Sequence, residues 1–252
     1  MSYKQIATLK MAFIATIVCL GCFPDITNGE TVYPLQSKYP NIIMYKLETT
    51  DKVIALTFDD GPDDRFTPQI LDVLDKHDIK ATFFLLGTRV DKYPDVAKRI
   101  INEGHAIGNH TYWHPDLTKT GEQNLVWEIE KNEEAIKDVT DQVTPLFRAP
   151  YGALNETLVE KIGELDYFAV GWSVDSMDWK NLSAKDIEQN VLKHIHPGAI
   201  ILMHSAGHWT QDLSGTVKAL ETLIPYLQKE GYTFVTVPKM WQMKKPEENI
   251  YK

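Results

Sequence analysis

Short apolar runs alternate with amphipathic segments along most of the chain, beginning at Val53. The runs are compact and rich in branched and aromatic residues, which is typical of strands buried on both faces. They predict strands over residues 53–58, 81–86, 105–108, 144–147, 168–172, 199–203 and 233–237. The segments between them have apolar residues at helical spacing. They predict helices over 67–77, 95–102, 122–139, 183–193 and 216–230, and a further helix that begins at Asn155.

Strands that alternate with helices indicate a mainly parallel sheet with helices on its outside. Seven such units between residues 53 and 237 fit an open or incomplete α/β barrel. A doubly wound sheet is the alternative, because periodicity along the chain does not distinguish the two. A chain of 252 residues is long enough for either fold as a single domain.

The N-terminus has the pattern of an export signal. Two lysines precede an apolar run at residues 11–22, and that run is shorter than the roughly 20 residues of a membrane-spanning helix. We therefore predict that residues 1–29 are a signal peptide and that the protein is secreted or associated with the cell wall, without an integral membrane span in the mature chain. Lipidation at Cys22 and an uncleaved anchor are the weaker alternatives. Both cysteines, Cys19 and Cys22, lie in this segment, so we expect no disulfide in the mature protein.

The composition is that of a folded globular protein, with 43% hydrophobic and 24% charged residues. The formal net charge is −9. This negative balance argues against nucleic acid as a partner, because proteins that bind it need a basic face that displaces counterions. It also argues against electrostatic adhesion to anionic membranes.

Polar residues follow five of the predicted strands at the point where each strand ends. In parallel α/β folds, catalytic residues collect at the carboxyl ends of the strands. The five clusters are Asp59 with Asp60, His110 with His114, residues 148–152, Asp175 with Asp178, and His204. We expect these clusters to meet at one rim of the sheet.

The spacing of His110 and His114 places two imidazoles on one face of a helical turn, close enough to share a metal ion. With Asp60 they form a set of two histidines and one carboxylate, which suits a catalytic zinc site with an open position. The alternatives are two unrelated loop histidines and a simple turn at Asp59 and Asp60, where Gly and Pro follow.

His204 closes a buried strand, so it is either a core residue or a general acid whose pKa lies near neutral pH. Asp178 would then raise the pKa of that histidine and orient its ring. Arg148 pairs with Asp59 in our interpretation, as a structural salt bridge, as a means of keeping the carboxylate ionised, or as both. A glycosidase would need only the two carboxylates and leaves the histidines unexplained. Phosphate-binding and nucleophile-elbow motifs are absent from the sequence.

Five motifs together resemble the NodB-homology polysaccharide deacetylases of carbohydrate esterase family 4. They are TFDDGP at 57–62, HTYWH at 110–114, RAPYG at 148–152, DSMDW at 175–179 and ILMH at 201–204. The resemblance extends over about residues 52–241. It implies an α/β fold, a distorted and incomplete (β/α)7-8 TIM-like barrel, within which we place the catalytic domain at residues 51–241. Residues 30–50 are then an N-terminal extension with a short strand at 42–47, and residues 242–252 a C-terminal tail.

The resemblance also implies roles for single residues. Asp59 is similar to the general base of the family and His204 to its general acid. Asp60, His110 and His114 resemble its metal ligands, for Zn²⁺ or else Co²⁺ or another divalent metal.

Further roles follow from the same motifs. By resemblance, Arg148 orients the general base and Asp178 orients the general acid. The backbone N–H of Tyr151 would stabilise the oxyanion, while Trp179 and Leu202 would line a pocket for the acetyl methyl group.

The reaction implied is hydrolytic N-deacetylation of a cell-wall polysaccharide by a zinc-dependent enzyme, at N-acetylglucosamine of peptidoglycan, with release of acetate. Chitin oligomers, an exopolysaccharide and N-acetylmuramic acid are alternative substrates. Two other classes remain open: a glycan-binding module without catalysis, and an amidohydrolase for small amides. We expect a monomer whose partner is the polysaccharide.

Overall fold

A curled sheet forms the centre of the computed structural model, which describes residues 25–27 and 30–244. The strands are β1 Asp25–Thr27, β2 Glu30–Val32, β3 Ile43–Met44, β4 Val53–Asp59, β5 Thr82–Leu85, β6 Ala106–Asn109, β7 Leu146–Phe147, β8 Phe168–Val170, β9 Val174–Asp175, β10 Ile200–His204 and β11 Thr233–Phe234. The α-helices are α1 Pro34–Lys38, α2 Thr67–Lys76, α3 Gly87–Lys92, α4 Pro94–Asn102, α5 Leu117–Thr120, α6 Glu122–Thr140, α7 Glu156–Glu164, α8 Ala184–His194, α9 Ser214–Lys229 and α10 Val237–Met243. Two short 3-10 helices lie at Pro150–Gly152 and Asp178–Lys180.

The strand order shows how the sheet curls. It is β3-β8-β7-β6-β5-β4-β10-β9, with β11 beside the start of β4, and every pair in it is parallel. An isolated bridge between Lys46 and Ala199 joins the segment after β3 to the residue before β10. Strands β4 to β8 follow one another in space as in the chain, whereas a doubly wound sheet reverses direction at a switch point. The predicted distorted, incomplete (β/α) barrel is therefore confirmed.

Alternation along the strands sorts their side chains into an outer and an inner layer. In β4, Leu56 and Phe58 pack in the large cluster beneath the helices, whereas Ala55 packs in a second cluster with Phe84 and Met240. Since successive side chains of a strand point to opposite faces, Asp59 lies on the same side as Ala55. The same alternation in β10 places its last residue, His204, on the inner face at the carboxyl end.

Several predicted elements differ in extent from those observed. Strands β7 and β8 are shorter than predicted, and the strand predicted at 233–237 ends at Phe234. Helix α10 begins at Val237 instead, with a proline in its first turn, and the Val237 N–H donates to the Thr82 hydroxyl at 2.9 Å. This helix ends at Met243, two residues beyond the predicted domain boundary.

The segment before β4 packs into the core. Tyr33, Leu35, Ile43 and Tyr45 are buried in a cluster with helices α6 and α7, and the predicted short strand at 42–47 appears as β3. The predicted signal peptide lies outside the described residues except for β1. Among residues 25–27 and 30–244, no helix combines the length and the apolar character that crossing a membrane requires.

Candidate active site

Asp60, His110 and His114 come together at the carboxyl edge of the sheet. Oδ1 of Asp60 lies 3.5 Å from Nε2 of His110 and 3.3 Å from Nε2 of His114. One donor atom from each residue falls within 4.8 Å of the others. Ligands about 2.0–2.1 Å from a tetrahedral zinc ion would lie about 3.3 Å from one another, so these two separations suit a shared ion.

The environment of these atoms also fits a metal ion. Oδ1 of Asp60 is buried and has no hydrogen-bond partner among the described residues, which is costly unless a cation binds there. Nδ1 of His110 lies 2.7 Å from the carbonyl oxygen of Arg148. A neutral His110 that donates from Nδ1 presents the lone pair of Nε2 towards Asp60, which is the usual outer support of a histidine ligand.

The pKa values of the triad follow from its crowding. Burial alone would raise the pKa of Asp60, but the neighbouring imidazoles of His110, His204 and His114 lower it instead. Burial and the neighbouring His110 lower the pKa of His114 to about 4. Burial opposes charge on His110 as well, yet Asp59 and Asp60 raise its pKa. The set therefore favours an ionised aspartate and a neutral His114, as metal ligation requires.

Asp59 is buried at the end of β4 and is paired with Arg148. Oδ1 of Asp59 accepts a hydrogen bond from Nη1 of Arg148 at 2.7 Å, and its Oδ2 lies 3.7 Å from Nε2 of His110. The guanidinium also donates to the Thr57 hydroxyl and to the carbonyl oxygens of Val170 and Gly171. Burial lowers the pKa of Arg148, but an arginine stays charged in proteins, so Asp59 keeps its cationic partner.

His204 at the end of β10 forms a second charged pair. Its Nδ1 lies 2.7 Å from Oδ1 of Asp178, and its backbone N–H donates to Oδ2 of the same carboxylate at 2.9 Å. The Thr216 hydroxyl donates to that Oδ2 as well. Burial alone would lower the pKa of His204, but the Asp178 charge and hydrogen bond raise it to about 9. The imidazole is therefore protonated at neutral pH.

The remaining predicted site residues differ in exposure. Leu202 is buried in β10, whereas Trp179 is 45% exposed and Tyr151 is 68% exposed. The Tyr151 ring meets the His114 ring edge-on, with 4.6 Å between ring centres. Among the described residues, none accepts a hydrogen bond from the backbone N–H of Tyr151. This N–H is therefore available to a ligand.

Left-handed backbone conformations concentrate at these loops. The φ angles are 68° at Asp60, 70° at Thr111, 64° at His114, 61° at Tyr151 and 56° at Met177. Residues other than glycine adopt such φ angles at a cost in conformational free energy. Surrounding contacts can offset this cost, and such residues often lie at functional sites. Local strain of this kind lies beyond what the sequence pattern predicts.

Sequence reasoning missed the residues that hold the loop of His110 and His114. Oε2 of the buried Glu128 in α6 accepts hydrogen bonds from the backbone N–H groups of Tyr112 at 2.7 Å and Trp113 at 2.8 Å. Asn132, one turn later, donates to the carbonyl oxygen of Thr111 at 2.9 Å. Two polar residues on the buried face of an amphipathic helix were the available signal, since buried polar groups need partners.

Comparisons with known proteins identify relatives of this chain. The family model for polysaccharide deacetylase matches residues 46–170. A peptidoglycan-N-acetylglucosamine deacetylase of Bacillus cereus is 48% identical over 194 residues, which are 76% of this chain and 69% of that protein. The peptidoglycan-N-acetylmuramic acid deacetylase PdaC of Bacillus subtilis is 34% identical over 97% of this chain, which spans 51% of that relative's length.

A solved structure is similar over most of the fold. It is the Bc1960 peptidoglycan N-acetylglucosamine deacetylase in complex with a naphthalenyl N-oxidanyl-benzamide, with a TM-score of 0.79 and 44% identity. The match covers 83% of this chain and 97% of that one. Sequence and fold agree, and the chain belongs to the polysaccharide deacetylase family, the CE4 hydrolases.

Proposed function

We propose that this chain hydrolyses the acetamide of N-acetylglucosamine residues in peptidoglycan and releases acetate. One observation carries the proposal: the triad of Asp60, His110 and His114 lies beside a carboxylate paired with arginine and a histidine paired with aspartate. The substrate is supported by the two relatives named for this sugar. N-acetylmuramic acid is the second candidate, because PdaC is named for it.

The triad would hold a metal ion, for which we propose Zn²⁺, with Co²⁺ or another divalent cation as substitutes. When bound, such an ion polarises a carbonyl oxygen and lowers the pKa of a water molecule. The protein itself holds the ligand atoms of the triad in position for the ion. Nδ1 of His110 lies against the carbonyl oxygen of Arg148, and Oδ1 of Asp60 lies 3.3 Å from Nε2 of His114.

Asp59 is the proposed general base. Its Oδ1 accepts a hydrogen bond from the guanidinium of Arg148, which fixes the orientation of the carboxylate. Its Oδ2 faces the triad, 3.7 Å from Nε2 of His110, and is the atom that would accept a proton from the attacking water. Arg148 therefore acts on the reaction by orienting this carboxylate.

His204 is the proposed general acid. Asp178 occupies its Nδ1, so the proton that reaches the leaving nitrogen would come from Nε2. An amide needs this proton because an unprotonated amide nitrogen is a poor leaving group. The Tyr151 N–H, which has no acceptor among the described residues, would stabilise the oxyanion as the carbonyl carbon becomes tetrahedral. Trp179 and Leu202 would form the walls of the acetyl pocket.

Mass spectrometry of peptidoglycan fragments after incubation with the protein tests the proposal. We expect glucosamine and free acetate from the wild type, and neither from Asp59→Asn, which should retain its metal because Asp59 lies outside the triad. Asp138→Asn, an exposed aspartate on helix α6 away from the site, is the matched control. Muramic acid in place of glucosamine would favour the second candidate. Binding without acetate release would indicate a glycan-binding module, and release from small amides alone would indicate an amidohydrolase.

We also propose that the protein is exported and acts at the cell wall as a monomer. The export signal predicted from the sequence and the wall polymer named for the relatives support this location. Immunodetection in fractionated cells and light scattering of the purified protein test the two statements.

A further inference from the structure

A cavity of about 510 Å³ opens beside the proposed catalytic groups. It is formed by the loops that follow β4 and β10 and by helix α3 after β5. Its charged lining consists of three cations and two acids, namely Arg65, Arg89, Lys92, Asp63 and Asp64. Trp209, whose side chain is 78% exposed, borders it as well.

The cavity is close to the reacting groups. Asp63 follows the metal-triad residue Asp60 by three positions, and Gly207 follows His204 by three positions. Consecutive Cα atoms lie 3.8 Å apart, so each of these pairs is separated by at most about 11 Å. A sugar that neighbours the reacting one therefore comes within reach of the cavity.

Some charged side chains of the cavity have a partner of opposite charge, and others do not. One oxygen of the buried Asp63 accepts backbone hydrogen bonds from residues 65–67, and the other lies 3.5 Å from Nε of Arg65. These two charges therefore offset each other. Arg89 donates to the carbonyl oxygen of Gly207 at 2.6 Å, and the Lys92 amine lies over the Tyr93 ring. Within the described part of the chain, neither Arg89 nor Lys92 forms an ion pair with an acidic side chain.

We propose that this cavity binds a carboxylate of the muramic acid next to the sugar that is deacetylated. The inference rests on the proposed function and specifies how peptidoglycan would be recognised. Each muramic acid has a lactyl group, which ends in a carboxylate or continues into a stem peptide that itself has carboxylates. A guanidinium binds carboxylates through its paired N–H donors, and the flat Trp209 ring offers a surface for a sugar face.

Arg89 and Lys92 matter for binding because the chain as a whole is negatively charged. The formal net charge is −9, so the protein repels an anionic polymer at long range. Local cations without acidic partners would offset this repulsion where the strand lies. A neutral chitin oligomer has no carboxylate and gains nothing from them. Selection of peptidoglycan over chitin would thus depend on Arg89 and Lys92.

A matched set of substrates tests the inference. The set consists of a peptidoglycan tetrasaccharide with free lactyl carboxylates, the same compound with those groups amidated, and the compound that bears stem peptides. Steady-state acetate release gives kcat and KM, and calorimetric binding to the Asp59→Asn form gives affinity without turnover. The variants are Lys92→Gln, Arg89→Gln and their combination. Lys98→Gln, at an exposed position of α4 outside the cavity, is the control.

We expect the wild type to prefer a carboxylate-bearing substrate over the amidated one about fivefold to tenfold, through KM, because Arg89 and Lys92 can each form an exposed charge pair that contributes up to about fivefold. The double variant should lose this preference, Lys92→Gln should lose part of it, and the control should keep it. Added salt should also reduce it. Preference for the bare lactyl form or for the peptide form identifies which carboxylate is bound.

Two results would overturn the inference. One is a wild type without preference between charged and amidated substrates. The other is that Lys92→Gln and the double variant lose affinity equally for the charged and the amidated substrate. Such an equal loss would assign the cations a purely structural role. Failure of the proposed function looks different: no acetate is released from any substrate, while calorimetry still reports the charge preference and its loss in the double variant.

Discussion

The pair of His204 and Asp178 allows a quantitative test through Asp178→Asn. Asp178 is buried, and its two oxygens accept from the His204 backbone N–H and the Thr216 hydroxyl and contact Nδ1 of the His204 ring. Asparagine has nearly the same shape but no charge. The substitution therefore removes the electrostatic support of the imidazolium and leaves the ring buried.

The magnitude follows from the pKa of His204, which is raised from 6.5 to about 9 although burial acts in the opposite direction. A rise of about 2.5 pH units corresponds to about 3 kcal/mol in favour of the charged ring. Without Asp178, burial still lowers the pKa of His204 while Asp60 and Asp59 still raise it, so we expect this pKa to fall to about its ordinary value of 6.5. At pH 7.5 the protonated fraction would then decrease from nearly all to under about a tenth.

The stability of the fold has a matching pH dependence. A histidine whose pKa is raised on folding stabilises the folded state fully below about pH 6.5 and loses this contribution as the pH rises through about 9. The difference in free energy of unfolding between the wild type and Asp178→Asn should therefore be largest at low pH. This difference should shrink as the pH rises from about 6.5 to about 9.

Nuclear magnetic resonance titration of the His204 ring in chelator-treated protein measures the effect directly. Thr216→Val is the matched control, because it removes one hydrogen bond to Asp178 without a change in charge. A pKa of His204 that stays above about 8 in Asp178→Asn would refute the electrostatic reasoning. An equal shift in Thr216→Val would assign the effect to hydrogen bonding instead.

Three further predictions concern the metal and the fold. His110→Ala should lose bound zinc and acetate release together, by elemental analysis and assay, and retention of stoichiometric metal would contradict the triad. Glu128→Leu should weaken zinc binding about tenfold in chelator competition, because the loop between the histidines loses its acceptor, whereas Glu130→Leu, exposed on the same helix, should not. Burial lowers the pKa of His105 to about 4, so protonation of the unfolded chain below about pH 6.5 favours unfolding. Between pH 7 and 5, urea denaturation should show the wild type losing about 1–2 kcal/mol more than His105→Asn, and equal losses would contradict this.

Buried strands were the most predictable part of the fold. Strands β4 and β10 are continuous apolar runs enclosed on both faces, and their extents were predicted to within about one residue. Helices α3 and α10 were missed because each is short, and a short segment has too few residues to establish a helical period. Helix α10 is held by packing of Val237 and Met240 against residues far away in sequence, which periodicity does not report.

The sequence by itself determined the family and the fold class, and it identified the residues that the structure brings to one rim of the sheet. Motifs sufficed because a residue type at a strand end is a local property. Alternation within β4 and β10 then directs Asp59 and His204 inwards without further information.

Tertiary structure alone decided how these residues are held and what surrounds them. Arg148 reaches Asp59 across 89 positions of the chain, and Glu128 of helix α6 supports the backbone of Tyr112 and Trp113 in the loop after β6. The cavity of Arg89 and Lys92 likewise arises where helix α3 meets the loops that follow β4 and β10. Such contacts depend on how the strands curl and which loops meet. A hydrogen bond needs its two atoms about 3 Å apart, and the pattern of residues along the chain does not specify which distant residues come that close.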